Sequence, residues 1–393
     1  MIDRDLAAQA RTVAKKLPVI AVTGPRQSGK TTFARATFPD HAYVSLESPS
    51  ERRAAETDAG GFLARFPGGA ILDEVQRVGE LTSYLQGIVD EDRRPGRWIL
   101  TGSQHFALSR SLSQSLAGRV ALLELFPPGW SELQRFPKPP ASLDDALFAG
   151  AFPRIHDQAI DPTQWLGSYV GTYIDRDVRD VLDITDRRTF HNFLGQAAGR
   201  AGQLVNLSGL GADCGVSHHT VRSWLSVLET SYAAFFVSPL VRSLRRRLIK
   251  APKLYFYDTG LLCYLLGIES PAHLARHPLR GSVFEAWVIS EVVKAHAHRG
   301  KRLRMSFYRD QRTEVDLILE REDRMVAVEI KSGMTVVDDF FRGLAQFERA
   351  LADDPHPPKL SKVIVYGGDG SHRRSGVHLV SWRDVAEFDW GSL

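Results

Sequence analysis

Residues Gly24 to Thr31 read GPRQSGKT, the pattern G-x-x-x-x-G-K-[ST]. In such a loop, glycines let the backbone curl so that Gly24, Pro25, Arg26, Gln27, Ser28 and Gly29 surround phosphate oxygens at a helix N-terminus. Lys30 then sets an ammonium against the β- and γ-phosphates, Thr31 offers its hydroxyl to Mg²⁺, and Thr32 follows inside the same turn. The chemistry implied is binding of ATP with Mg²⁺. Further on, the apolar run AIL ends in Asp73-Glu74. There Asp73 can hold the metal through water and Glu74 can polarise an attacking water, which suits hydrolysis better than binding alone. The run WILTGSQ delivers Thr101 and Ser103, either of which could sense the γ-phosphate. Arg119, Arg154 and Arg176 are candidates for the cation that stabilises a phosphoryl group in transfer.

A second constellation lies in the last third of the chain. Glu285 falls in a helical stretch (VFEAWV), Asp316 in EVDLIL, and Glu329 and Lys331 flank Ile330 in VEIKSG. Residues 329 and 331 share one face of a strand, and a neighbouring strand can bring Asp316 alongside. Three carboxylates and an ammonium can thus converge, with Asp316 and Glu329 binding Mg²⁺ and Lys331 orienting or activating water for attack on a phosphodiester. Gln346, in the next helix, could face the same place.

A third group is basic. NLSGLGADCGVSHHTVRSWLSVLE has the rhythm of a helix-turn-helix, with Gly215 at the turn and Ser217 capping a helix that carries His218, His219, Arg222 and Ser223. RSLRRRLIKAPK follows between two strand-like runs, as the wing of a winged helix would, and supplies Arg242, Arg245, Arg246, Arg247 and Lys250 for DNA phosphates. Adjacent helix positions do not share a face, so His218 and His219 are no metal pair.

These residues need a scaffold. Short apolar runs at 17–23, 42–46, 69–72, 97–101 and 119–125 alternate with amphipathic helical stretches, the pattern of a parallel α/β sheet. Pro127-Pro128 ends it, and the chain to about 240 has helical period. Strands return with KLYFYD, then come a long helix, a pair of strands joined by a charged turn, a helix and KVIVYGG.

At 393 residues the chain suggests two to four domains, and 43% apolar with 24% charged residues is a globular composition. The N-terminus is charged and no run approaches a membrane span, so a cytoplasmic protein without membrane association is expected. Cys214 and Cys263 stand apart, which suggests neither a disulfide framework nor a zinc site. The net charge is +4, gathered in the run just described and in RGKRLR at 299–304.

GPRQSGKTT, LDEVQ and LTGS together resemble a prokaryotic family of AAA+ P-loop ATPases with a C-terminal domain of unknown function. The resemblance implies an α/β core, a helical lid and assembly into a homo-oligomer such as a hexamer. TGSQ stands where many AAA+ enzymes keep a sensor Asn. Glu285, Asp316, Glu329 and Lys331 resemble the PD-(D/E)xK nuclease superfamily, in the branch with Holliday-junction resolvases, although Val315 rather than proline precedes Asp316. The expected architecture is α/β: an AAA+ ATPase core with helical lid (1–185), a winged helix (186–258) and a restriction-endonuclease-like α/β domain (259–393). The expected function is an ATP-hydrolysing, Mg²⁺-dependent protein acting on duplex, branched or broken DNA in replication or repair. Two alternatives stand beside it: an ATP-driven translocase or branch-migration motor whose last domain does not cut, and a nucleotide-dependent switch, in a defence or toxin system, that binds a protein partner.

Overall fold

A computed structural model describes residues 2–103, 116–174, 186–240, 251–301, 303–352, 354 and 356–390. Helix α1 (Leu6–Ala14) precedes the first sheet, whose strands are β1 (Val19–Thr23), β2 (Ala42–Ser45), β3 (Ala70–Asp73), β4 (Trp98–Thr101) and β5 (Val120–Glu124). Their order is β2-β3-β4-β1-β5 and every pair is parallel. A parallel sheet must be covered on both faces, and strand β1 shows how. Val19 and Ala21 pack with Leu72, Leu85 and Trp98 on one side, while Ile20 and Val22 meet Leu6, Ala10 and Phe33 on the other. The second side brings α1 against α2 (Lys30–Thr37), the helix that opens on the phosphate-loop motif.

Short helices at Trp130–Leu133, Leu143–Ala149, Pro153–Gln158 and Pro162–Tyr169 follow, where a helical lid was expected. Ser142 and Asp161 cap two of them with side-chain oxygens. Next come α3 (Arg187–Ala198), α4 (Leu207–Cys214) and α5 (His218–Thr230). Asn206 caps α4, Gly215 turns the chain at φ 69°, and Ser217 caps α5, which buries Val221, Trp224, Leu225 and Leu228.

The second sheet contains eight strands in the order β12-β13-β11-β10-β9-β8-β6-β7. They are β6 (Ala234–Pro239), β7 (Lys253–Phe256), β8 (Met305–Arg309), β9 (Glu314–Arg321), β10 (Arg324–Lys331), β11 (Lys359–Tyr366), β12 (His372–Arg374) and β13 (Val377–Ser381). One long helix, α6 (Arg280–His298), packs on one face, and α7 (Arg342–Ala352) presents Leu344, Phe347 and Leu351 to the other.

The two strands that flank the basic run are β6 and β7, and β6 pairs with β8 through Ser238↔Ser306 and Pro239↔Phe307. The sheet therefore runs across residue 258, and one apolar core extends from Trp130 through Trp224 and Trp287 to Trp390. Both cysteines are buried and free. No described helix is long and apolar enough to cross a membrane.

Candidate functional site: a phosphate loop and a carboxylate cluster

The buried strand β1 ends at Thr23, and the chain turns through Gly24 (φ 140°) and Gly29 (φ 92°) into α2. These angles favour glycine. At Gly24 a side chain would also meet the Leu125 carbonyl oxygen at 2.3 Å. Lys30 is 6% exposed, and its Nζ donates to the carbonyl oxygens of Gly24 (3.0 Å) and Pro25 (2.7 Å). Among the described residues the buried Ser28 hydroxyl has no hydrogen-bond partner.

Asp73 ends β3 at the same edge of the sheet, 5% exposed. Its carboxylate accepts from Thr31 Oγ1 at 3.0 and 3.1 Å, from Tyr43 OH at 2.9 Å, and from Thr101 Oγ1. Burial, with Asp73 beside it, pushes the Tyr43 phenol up to about 12. Glu74 adopts left-handed backbone (φ 57°, ψ 46°), and Ser103 Oγ, at 3.0 Å, and Gln76 Nε2 donate to its Oε2. Asp73 with Thr31 and Glu74 with Ser103 thus stand side by side at one end of the sheet.

A cavity of about 620 Å³ opens over these groups, lined by residues 26–33, Asp73, Glu74 and Ser103, and on the far side by Pro128, Phe136 and Arg154. Arg154 faces the cavity from the helical segment of its own chain. Arg119 does not, because it precedes β5 at the opposite edge of the sheet and pairs with Asp90 at 2.6 and 2.9 Å. Arg176 lies outside the described residues.

Arg4 is a contributor that the sequence reading missed. Its guanidinium donates to Ser28 O (3.0 Å), Phe126 O (2.6 Å) and Glu132 Oε1 (3.0 Å), tying the loop to the segment after β5. Burial opposes the charge on Glu132, but Arg4 and His298 beside it and the Asp5 N–H take the carboxyl down to about 2. Burial pushes His298 down to about 4 in spite of Glu132. A lone arginine at the start of an amphipathic helix carries no signal for this role.

The second constellation also gathers, with different partners from those expected. Lys331 Nζ is 2.6 Å from Glu329 Oε1, as their shared strand face requires, and Asp316 Oδ2 accepts the Ile330 N–H at 2.8 Å. Glu329 is 7% exposed, and among the described residues its Oε2 has no hydrogen-bond partner. Glu285 is engaged elsewhere: Tyr255 OH donates to its Oε1 at 2.5 Å and Lys253 Nζ lies 3.3 Å away. Burial and the Asp316 charge raise Glu329 to about 8 and Glu285 to about 7, and burial raises Asp316 as well. Among the described residues no three His, Cys, Asp or Glu side chains form a group able to hold a metal ion. Three carboxylates around one ion is therefore not the arrangement, because Lys253 and Tyr255 take Glu285 out of it. Lys253 was hidden in the sequence as one more residue of a basic run. Gln346 accepts from Thr313 at 3.0 Å, next to Glu314.

On α5, His218, His219, Arg222 and Ser223 are all exposed. Arg242, Arg245, Arg246, Arg247 and Lys250 lie outside the described residues. The end of α5 meets the ATPase core directly, where Tyr232 OH donates to Thr23 Oγ1 and to Glu124 Oε1, both at 3.2 Å.

Residues 16–134 match the family described as AAA domain. Residues 140–272 and 280–385 match two families, each described as a domain of unknown function. The chain is similar to uncharacterized proteins of Mycobacterium tuberculosis and Mycobacterium bovis, each 29% identical over 338 residues, 84% of this chain and 74% of the relative. Among solved structures, the Walker-type ATPase of Pyrococcus abyssi is 13% identical with a TM-score of 0.44, over 67% of this chain and 96% of that one. The AAA match covers the parallel sheet and the phosphate loop, and it supports ATP binding and ATPase activity for this part of the chain.

Proposed function

We propose that the chain is an ATP-hydrolysing, Mg²⁺-dependent protein that processes branched or broken DNA, with turnover at the phosphate loop coupled to DNA held by the winged-helix segment. The observation that carries the proposal is the set of Lys30, Thr31, Asp73 and Glu74 at one sheet edge, under a cavity large enough for a nucleotide. The orphaned Ser28 hydroxyl and the adjacent Thr31 and Asp73 oxygens fit a Mg²⁺-nucleotide. Bound there, the ion neutralises charge on the phosphates. Lys30 leaves the Gly24 and Pro25 carbonyls to meet phosphate oxygens, Glu74 takes the proton of the attacking water, and Ser103 holds Glu74 in place. Arg154 serves the phosphates from within the chain, whereas Arg119 reaches a phosphate site only in a neighbouring copy of a homo-oligomer.

DNA binding is assigned to α5, which exposes His218, His219, Arg222 and Ser223, and to the basic residues Arg242, Arg245, Arg246, Arg247 and Lys250 that follow in the sequence. The contact from Tyr232 to Thr23 gives that helix a route to the phosphate loop. A second reading concerns the last domain. Asp316 and Glu329 would hold one Mg²⁺, which would supply charge to a phosphodiester, and Lys331 would orient the attacking water.

The test is ATP turnover without DNA and with single-stranded, linear duplex and four-way-junction DNA, at low and high salt. Stimulation by one form that fades with salt supports the proposal. Stimulation without strand cleavage favours a translocase or branch-migration motor. Equal turnover in every case points to a switch that binds a protein partner.

A further inference from the structure

Lys253 is 1% exposed, an expensive place for an ammonium unless carboxylates surround it. It comes from β7, an edge strand of the eight-stranded sheet, within the 140–272 family match and outside the 280–385 match that holds the acidic residues. Its Nζ lies 2.7 Å from Glu314 Oε1 and 3.3 Å from Glu285 Oε1, with the Phe307 ring centroid at 5.4 Å. Tyr255, two residues along the same strand, adds its hydroxyl to Glu285. Arg309 Nε meets the other Glu314 oxygen at 3.3 Å from the solvent side. Glu285 and Glu314 are therefore both engaged by neighbours. Lys253 and Lys331 both bear on Asp316, which also accepts the Ile330 N–H, while Lys331 pairs with Glu329, whose buried Oε2 has no hydrogen-bond partner among the described residues.

We propose that Lys253 is the resident cation beside Glu285 and Glu314, so that the cluster takes a single divalent metal ion, on Asp316 and Glu329, and no second ion at Glu285 and Glu314. The inference rests on the reading of Asp316 and Glu329 as metal ligands. A buried ammonium fixed by two carboxylates fills the space and supplies the charge that a second ion would bring. The site is in this sense composite, one wall of it donated by β7, the strand that follows the basic run.

The test counts Mn²⁺ by electron paramagnetic resonance on the full chain without nucleotide, in an Asp73→Asn background that silences the ATPase site. One ion per chain is expected, lost in Glu329→Gln and bound equally well in Glu285→Gln. Lys253→Gln should raise the count to two. Two ions with Lys253 in place, or still one in a folded Lys253→Gln chain, overturn the inference and leave the metal reading intact. Should Lys253→Gln not fold, Glu285→Gln decides alone, because a loss of about tenfold or more in Mn²⁺ affinity marks Glu285 as part of the metal site and overturns the inference. No ion that Glu329→Gln removes overturns the metal reading itself, and the inference with it.

Discussion

Thr31 Oγ1 lies 3.0 and 3.1 Å from the two carboxylate oxygens of Asp73, joining the first turn of α2 to the end of β3. Two groups 42 positions apart in sequence can meet so only because β1 and β3 end at the same edge of a parallel sheet. Asp73→Asn keeps the shape and removes the charge that a metal needs. Turnover should fall by about 3 kcal/mol of barrier, roughly a hundredfold, with the fold intact by circular dichroism.

Arg4 pairs with the fully buried Glu132 while it holds the Ser28 and Phe126 carbonyls. Removing one partner of a buried pair leaves the other charge unpaired. Arg4→Ala should cost about 3 kcal/mol or more in urea unfolding. The double variant Arg4→Ala with Glu132→Gln should recover part of that loss, which a purely additive effect would not give.

Glu329 keeps its proton to about pH 8 in the folded chain, against an ordinary value of 4.5. A carboxyl raised by folding contributes stability that is complete below its unfolded pKa and is lost as pH climbs through the folded one. In chelator, Glu329→Gln should therefore gain on the parent chain between about pH 5 and pH 8.5, by on the order of 1–3 kcal/mol. A difference in thermal midpoint that stays flat over this range would contradict the raised pKa of Glu329.

Arg222 stands exposed on α5. If it meets a DNA phosphate, Arg222→Ala should weaken binding to all sequences alike and reduce the slope of log affinity against log salt by about 1. Fluorescence anisotropy at several salt concentrations reads both quantities.

The parallel sheet was legible because its strands are short apolar runs bounded by turn residues, and each expected run from 17–23 to 119–125 overlaps an observed strand. Ser217 and Gly215 likewise marked the ends of two helices, since caps are local chemistry. The joining of β6 to β8 was not legible. Pairing between strands far apart in sequence leaves no periodic trace, so the chain read as separate pieces on either side of residue 258. Lys253, Arg4 and Tyr43 escaped for the same reason, as each acts through partners that only the tertiary fold supplies. Lys253 illustrates the error most clearly, because a basic run reads as a solvated or DNA-facing surface and its last member is buried.

The most direct test is phosphate release from Mg²⁺-ATP by the full chain, set beside Glu74→Gln and Lys30→Ala, with nucleotide binding measured in parallel. The account predicts turnover in the parent chain, binding without turnover in Glu74→Gln, and neither in Lys30→Ala. Turnover in Glu74→Gln equal to that of the parent would contradict the assignment of Glu74, and no binding or turnover by the parent chain would contradict the account as a whole.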